Sequence, residues 1–166
     1  GPDVTRFVML TRKNDAALDF DFQKVLEQSR ENQVFYVQYA HARIKSVIRK
    51  AEALNLDTSD YALSEANLSS LTHASELSLI KKLAEWPRIV ELSARLYEPH
   101  RLAFYLFDLS SELHSHWGKG GENSHLRFLQ SDDMTITKSK IALARAVSIV
   151  ISSGLAILGV QPAEKM

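Results

Sequence analysis

Two aromatic side chains, an imidazole and a guanidinium lie close together in the run Tyr-Val-Gln-Tyr-Ala-His-Ala-Arg-Ile, which spans residues 36–44. If this run is helical, as the apolar spacing around it predicts, these groups lie on consecutive turns. RNA loops are bound by stacking bases on aromatic or guanidinium planes, by hydrogen bonds to base edges and by cations on phosphates. The mixture of residues in this run therefore suits RNA.

Other residues with potential chemistry lack the spacing that catalysis or metal binding requires. The glycine-rich stretch 118–121 lacks the arrangement of a phosphate-binding loop, so we expect it to end a helix. His114 and His116 are two residues apart, and side chains at that spacing on a helix point in different directions and cannot chelate one ion together. His41 is more typical of a hydrogen-bonded packing histidine than of a reagent. The sequence predicts neither a catalytic residue nor a metal site.

Length and composition restrict the class of protein. A chain of 166 residues has room for one domain with a substantial core. The chain contains no cysteine, which excludes disulfides and thiolate metal sites and is compatible with a reducing cytoplasm. Its 20 basic and 20 acidic residues cancel, so any RNA-binding surface must be local.

One apolar stretch, residues 141–160, is nearly long enough to cross a bilayer and contains a single charge, Arg145. Its serines and glycines lower its hydrophobicity, and the mean hydropathy of the whole chain is −0.15. A helix that is apolar on nearly all sides is also what the middle of a soluble bundle requires. We therefore expect no membrane span, and charges such as Asp3 and Arg6 argue against a signal peptide.

Apolar residues at helical spacing predict an all-α fold. The seam that starts near Val34 is the clearest, and its outer face is expected to carry Arg43, Lys45, Arg49 and Lys50 on one broad side. Residues 57–72 are predicted to form a loop or a loosely helical connector, and residues 119–137 a polar loop with an apolar island. The predicted helices are residues 3–11, 20–30 with Asp19 as N-cap, 34–54, about 77–84 with inner positions at Leu77 and Ile80, Pro87 to about Leu96, Pro99 to about Trp117, and 138–158 with Gly159 as left-handed cap.

Three separated segments carry a resemblance to a known family. In chain order they are the motif Leu18-Asp19-Phe20-Asp21, the run 36–44, and the last residues from Leu158 to Met166. In this order they resemble the C-terminal part of bacterial-type arginyl-tRNA synthetases, from about residue 3 to residue 166. The resemblance implies a helical bundle of the class I aminoacyl-tRNA synthetase anticodon-binding type. It also implies a division into a tag remnant (1–2), a linker helix from a catalytic domain (3–18) and an anticodon-binding domain (19–166).

The resemblance implies a function for the larger protein as well. A parent arginine-tRNA ligase uses ATP, assisted by magnesium, to form arginyl-adenylate and transfers the amino acid to tRNA-Arg in the cytoplasm. The His-Ile-Gly-His-like and Lys-Met-Ser-Lys-Ser-like motifs of that chemistry do not occur here, and the segment 137–140 has the wrong spacing for the second. We therefore expect the fragment to be inactive alone, to hold no cofactor, and to act as a monomer that binds tRNA-Arg.

The resemblance and the residue types together give the candidate contacts. The segment 110–117 matches the stretch that carries an aromatic at the anticodon loop, although Leu113 replaces an aromatic often found there. Trp117 is expected to end its helix beside the glycines with its ring turned outward. The anticodon-binding candidates are Tyr39, Arg43, His114, Trp117 and Met166, and the phosphate-contact candidates are Lys45, Arg49, Lys119, Lys138 and Lys140.

A second hypothesis stays open from the residues alone. The same apolar stripes would also suit a helical protein-interaction or regulatory domain that binds no RNA. Salt dependence separates the two hypotheses, because counterion release makes RNA binding weaken steeply as salt rises, whereas a mainly apolar protein interface responds weakly.

Overall fold

The structure, a computed structural model, describes residues 2–13 and 32–166, and within these ranges it contains helices and no strand. This confirms the predicted all-α class. The motif 18–21 and the helix predicted over 20–30 lie outside the described residues. The helices are α1 (Pro2–Leu10), α2 (Gln33–Ala53), α3 (Asp60–Ser64), α4 (Ala74–Ala84), α5 (Trp86–Leu96), α6 (His100–Glu122) and α7 (Met134–Ile157), with 3₁₀ turns at Leu68–Ser70 and Ser124–Leu126.

The core lies where the long helices α2, α6 and α7 meet. Each contributes a row of aliphatic side chains at steps of three and four residues, and removing each such side chain from water contributes roughly 1.5–3 kcal/mol. Gly154 of α7 faces Leu106 of α6, and a Cβ built on it would lie 2.6 Å from Leu106 Cδ2. A side chain at this position would therefore not fit between the two helices without displacing Leu106. The residues of the core that are completely buried include Val37, Ala40, Ile44, Ala51, Leu106, Leu109, Leu113, Ile141, Ala144, Val147, Ile151 and Leu155.

Capping residues explain several of the observed helix boundaries. Asn32 Oδ1 accepts a hydrogen bond from the amide of Phe35 at 3.2 Å and so begins α2. Asp133 caps α7 in the same way, through the amide of Ile136 at 2.9 Å. Because of this cap, α7 begins one turn earlier than predicted. Gly159 has a φ of +68° and ends the helix in the left-handed region, as expected.

The glycines of α6 do not end that helix, which is a correction to the sequence prediction. α6 continues through Gly118, Gly120 and Gly121 to Glu122. Gly120 is buried against the chain that follows the helix, and its carbonyl accepts a hydrogen bond from Arg127 Nε at 2.9 Å. This tertiary contact holds the last turn of the helix in place, and Trp117 therefore lies inside α6 instead of at its end.

The connector and the two central short helices follow the sequence prediction in part. Residues 57–72 contain the short helix α3 and one 3₁₀ turn, so the connector is loosely helical as predicted. Pro87 lies in the first turn of α5, as expected. In α4, however, Leu79 is the completely buried residue, while Leu77 and Ile80 are 41% and 36% exposed.

The helix α7 is, within the described ranges, long and apolar enough to cross a membrane by length and composition. Its most apolar 18-residue window has a mean hydropathy of 1.7, and 56% of that window is buried inside the protein. Residues such as Ile141, Val147 and Ile151 pack against α2 and α6, which explains the composition as that of a central core helix.

After α7 the chain returns across α1 and α2 in an extended segment, residues 159–164, that we call the strap. Arg6 of α1 donates a hydrogen bond to the carbonyl of Gly159, and the Gln161 amide donates to Asp3 Oδ2 at 3.2 Å. From α2, Gln38 Nε2 donates to the carbonyl of Gln161 at 3.0 Å. Polar side chains of two helices therefore hold the strap through its backbone.

Candidate nucleic-acid interface

Four of the predicted site residues come together between α2 and α6. Arg43 Cζ lies 4.2 Å from the centre of the Trp117 ring and 5.4 Å from the centre of the Tyr39 ring. The Tyr39 and His114 rings are stacked, with centroids 5.3 Å apart and planes 20° apart. We call these four residues the aromatic-guanidinium cluster. It forms because each helix presents two of its members about one turn apart on the face toward the other.

Arg43 and His114 are also joined by a hydrogen bond. Arg43 Nη1 donates to His114 Nδ1 at 3.2 Å, and His114 Nε2 lies 3.4 Å from the carbonyl oxygen of Tyr36. Burial lowers the pKa of His114 below its ordinary value, and the nearby charge of Arg43 acts in the same direction. Burial likewise lowers the pKa of Arg43, which still carries its charge at neutral pH because a guanidinium titrates far above that range.

The cluster reaches the surface on the side of Tyr39. Tyr39 is 37% exposed, while Arg43, His114 and Trp117 are partly buried. Phe128 packs against Trp117 with ring centroids 5.1 Å apart and planes 49° apart. Trp117 is therefore not the outward-turned terminal ring that the sequence predicts, but a partly buried ring with Arg43 over it.

A pocket of about 310 Å³ opens beside Trp117. Phe128 and Leu129 form part of its apolar wall, and Lys50 and Arg127 bring two cationic side chains to its lining. None of these four residues is among the contacts predicted from the sequence. The apolar island within the polar segment 119–137 and the basic run on α2 were the signals available, but neither indicates that the two regions meet beside one ring.

The cations of α2 do not share one broad side, which corrects a second prediction. Arg43 faces α6, whereas Lys45 and Arg49 face the strap. Lys45 Nζ lies 3.4 Å from Glu164 Oε1, and Arg49 Nη1 donates to the Glu164 carbonyl at 3.3 Å. As phosphate contacts, Lys45 and Arg49 remain predictions, and an RNA phosphate would have to compete with Glu164 for Lys45.

Lys140 cannot serve as the phosphate contact that the sequence predicts. Its side chain is only 5% exposed, and its Nζ lies 3.4 Å from Glu76 Oε1, which is equally buried. Lys140 also donates a hydrogen bond to the carbonyl of His125. Lys140 lies within α7, as predicted, but on the face of the helix toward α4. Lys119 is exposed and Lys138 is partly exposed, so both remain candidates.

His116, His41 and Leu113 make contacts that stabilise the fold. His116 Nδ1 lies 2.7 Å from Ser75 Oγ on α4, so His114 and His116 point to different helices, as predicted. His41 Nδ1 donates to the Ala163 carbonyl at 2.7 Å and its Nε2 lies 2.9 Å from Ser152 Oγ, which confirms a hydrogen-bonded packing histidine. Leu113 is completely buried in the core and offers no stacking surface.

Met166 follows the strap and is 58% exposed. The strap fixes the chain as far as Ala163 and Glu164 by hydrogen bonds to α2. A role for Met166 at a bound RNA therefore remains a prediction.

Comparison with known proteins gives one family and several relatives. The DALR anticodon binding domain family matches residues 37–166. The chain is 63% identical over 166 residues to the arginine-tRNA ligase of Ruegeria pomeroyi and 64% identical to that of Cereibacter sphaeroides strain ATCC 17025, in both cases along its full length. It spans only 29% and 28%, respectively, of the lengths of these curated relatives.

Among solved structures, the arginyl-tRNA synthetase of Thermus thermophilus superposes with a TM-score of 0.75 and 24% sequence identity. The match covers 99% of this chain and 26% of that one. At this identity the likeness shows a shared fold.

Proposed function

This chain belongs to the DALR anticodon binding domain family, and we propose that it is the anticodon-binding part of an arginine-tRNA ligase and that its partner is tRNA-Arg. The relatives named arginine-tRNA ligase, which it matches along its whole length at over 60% identity, support the parent activity. Because the chain spans less than a third of those proteins, the reaction itself is assigned to the part of the parent that this chain lacks.

The aromatic-guanidinium cluster is the observation that carries the proposal. Single-stranded RNA bases bind by stacking on aromatic rings and guanidinium planes, because every base has a π face. Here Arg43 Cζ lies 5.4 Å from the centre of the Tyr39 ring and 4.2 Å from that of the Trp117 ring, so two rings and a cation are adjacent. Tyr39 extends to the surface. The arrangement offers a splayed loop base a stacking surface and N–H donors for its edge.

The pocket beside Trp117 gives the proposal a second support. Its Phe128 and Leu129 wall suits the flat face of a base, and Lys50 and Arg127 suit the phosphates on either side. Within this proposal, Lys45, Arg49, Lys119 and Lys138 are further phosphate contacts, and Met166 is a contact at the anticodon loop.

ATP and magnesium belong to the proposed parent reaction and do not fit the described residues of this chain. The glycine-rich stretch 118–121 is helical, so its amides form helix hydrogen bonds instead of cradling phosphate. Within residues 2–13 and 32–166, no three His, Asp or Glu side chains form a group that could hold a metal ion. The contribution we assign to this chain is binding energy remote from the reaction, which positions the tRNA.

The proposal includes a cytoplasmic location, because the parent reaction supplies protein synthesis, and a monomeric chain. Gel filtration coupled to light scattering tests the second point directly. A mass of twice 18.7 kDa would overturn it.

A binding titration tests the function. The 166-residue chain is mixed with a labelled anticodon stem-loop of tRNA-Arg and, separately, with the same hairpin changed at its middle anticodon base. We expect tighter binding of the unchanged hairpin, by about tenfold or more, since one well-placed base contact discriminates by about 1–3 kcal/mol. Equal or negligible binding of both hairpins would overturn base recognition by this chain.

Salt dependence supplies an independent measurement. Each phosphate neutralised by Lys or Arg makes the logarithm of the binding constant fall by roughly 0.7–0.9 per unit of log salt. We expect a slope equivalent to several contacts. A slope near zero would indicate an apolar partner and favour a protein-interaction domain.

A further inference from the structure

Within the aromatic-guanidinium cluster, His114 is the residue of α6 that contacts three side chains of α2. Its ring packs against the rings of Tyr36 and Tyr39, with centroid distances of 4.4 Å and 5.3 Å. Its Nδ1 accepts from Arg43 Nη1 at 3.2 Å. The ring is therefore fixed in plane by its neighbours and is not available as a stacking surface on either of the sides that the tyrosines cover.

The hydrogen bonds of His114 determine its tautomer. A guanidinium has donors only, so Nδ1 must carry a lone pair. A carbonyl oxygen can only accept, so Nε2 carries the proton and donates to the oxygen of Tyr36, 3.4 Å away. Both contacts are satisfied only by the neutral imidazole with its hydrogen on Nε2.

We propose that His114 is a positioning residue, which holds the Arg43 guanidinium over Trp117 in the orientation that recognises an RNA base, and that it acts only as the neutral Nε2–H tautomer. The inference rests on the proposed function and deepens it, because it assigns His114 to orienting Arg43 instead of touching RNA. One face of the guanidinium lies on Trp117 and one N–H is bonded to His114. In the described part of the chain no further hydrogen-bond partner of Arg43 is found, so its remaining donors are available to a base edge.

Protonation of His114 would dismantle this arrangement. A proton on Nδ1 would replace the acceptor by a donor aimed at the donor of Arg43, and would add a positive charge about 3 Å from the guanidinium group. The groups that face the ring from α2 are Arg43 and the side chains of Tyr36 and Tyr39, and none of these is a carboxylate. Burial and Arg43 lower the pKa of His114, although the Tyr36 carbonyl acts in the opposite direction.

Two variants of His114 distinguish its hydrogen bond to Arg43 from the space that its ring fills. His114→Phe keeps a flat ring between the tyrosines but has no acceptor for Arg43. His114→Gln presents an acceptor and a donor and does not titrate. We expect His114→Phe to reduce the preference for the unchanged anticodon hairpin over the hairpin changed at its middle base about tenfold, and His114→Gln to retain most of it.

A double-mutant cycle with Arg43→Ala tests whether His114 acts through Arg43. If each single substitution weakens binding of the unchanged hairpin about tenfold, the double variant should also bind it about tenfold more weakly, since the substitutions remove one shared interaction. A loss near a hundredfold would mean that His114 contributes independently and would overturn the proposal. Circular dichroism at each step verifies that the variants are folded to the same extent.

The preference between the two hairpins should depend on pH if His114 orients Arg43, and should not depend on His114 protonation if the residue only fills space. As the pH is lowered from 7.5 until the imidazole NMR signals show that His114 is protonated, we expect the preference of the unsubstituted chain for the unchanged hairpin to fall. The His114→Gln chain should keep a constant preference over the same range. Parallel profiles for the two chains would overturn the proposal.

Nitrogen-15 NMR of the imidazoles distinguishes failure of this inference from failure of the proposed function. In the RNA-free chain at pH 7.5, His114 should show an unprotonated Nδ1 and a protonated Nε2. A protonated Nδ1 would overturn the inference whether or not RNA binds. Conversely, the expected tautomer in a chain that binds neither hairpin would overturn the proposed function and, with it, the positioning role.

Discussion

The Arg43 guanidinium of α2 lies over the Trp117 ring of α6, with Arg43 Cζ 4.2 Å from the ring centre. A cation over an indole face is attracted by the negative face of the ring, and the pair is also flat enough to extend a stack. Because the two residues come from different helices, the stacking surface exists only while α2 and α6 are packed together. The core beneath the cluster, including Ile44 and Leu113, is therefore a requirement for binding.

Replacing Trp117 or Arg43 by alanine should weaken binding of the tRNA-Arg anticodon hairpin by about 1–3 kcal/mol, because each removes a stacking plane or a base-edge donor. Fluorescence anisotropy of the labelled hairpin measures the change. Tyr61→Ala is the matched control, since Tyr61 is 81% exposed on α3 and is not part of the cluster. This variant should bind the hairpin with unchanged affinity. Equal affinities for all three variants and the unsubstituted chain would remove the cluster from the RNA site.

Replacing Lys140 by methionine should destabilise the fold by about 3 kcal/mol, because it leaves the buried carboxylate of Glu76 without its partner. Urea unfolding followed by circular dichroism measures the change in the free energy of unfolding. The exposed Lys119, replaced in the same way, should leave that free energy within about 0.5 kcal/mol. If Lys140→Met were as stable as the unsubstituted chain, Lys140 would have to be solvent-exposed in solution.

The glycines of α6 and α7 should respond oppositely to alanine. Gly154→Ala places a Cβ within 2.6–3.1 Å of the buried Leu106 side chain and should destabilise the fold by about 1–3 kcal/mol. Gly118→Ala meets no atom within 4 Å and should stabilise the fold by about 0.5–1 kcal/mol, because alanine favours the helix. Thermal melts of both variants provide the comparison. Destabilisation by Gly118→Ala would indicate that α6 ends before that residue, as the sequence alone suggests.

Stability should fall as the pH drops below the ordinary histidine value of 6.5, because burial lowers the pKa values of His41, His114 and His116 in the folded chain. The unfolded chain then binds protons that the folded chain does not, so the stabilisation is complete above pH 6.5 and is lost progressively toward the lowered folded values. Urea unfolding at pH 7.5 and pH 5.5 measures the change in the free energy of unfolding. His41→Gln, which keeps a donor and an acceptor, should show a weaker dependence, and an unfolding free energy that rises on acidification would contradict the assignment.

Local sequence signals predict most of the helices, since apolar spacing, Pro87 and Gly159 each act within a turn or two of the chain. They fail where a contact with a residue outside the helix decides. The end of α6 is set by the hydrogen bond between Arg127 and the Gly120 carbonyl. The burial of Lys140 is explained by its ion pair with Glu76 in another helix. Glycine near a helix end and lysine on a helix are ordinary stop and surface signals, so neither contact can be inferred from spacing.

The candidate site shows the same division. Residue types identify Tyr39, Arg43, His114 and Trp117 as the groups suited to RNA, and the structure brings these four together. Spacing within one helix, however, does not reveal the direction in which each cation points. Lys45 and Arg49 therefore turn out to face the strap, and Phe128 joins Trp117 from a segment that reads as a polar loop.

The strap has a mechanical consequence. Its backbone is bonded on one side to Asp3 and Arg6 and on the other to Gln38 and His41, which stand on the same helix as Tyr39 and Arg43. The strap thus links α1 to the helix that carries half of the stacking surface, in addition to the direct packing of α1 through its buried Phe7, so a displacement of α1 would strain both sets of contacts. The first and last described segments of the chain are therefore joined through backbone carbonyls of the strap and the backbone N–H of Gln161.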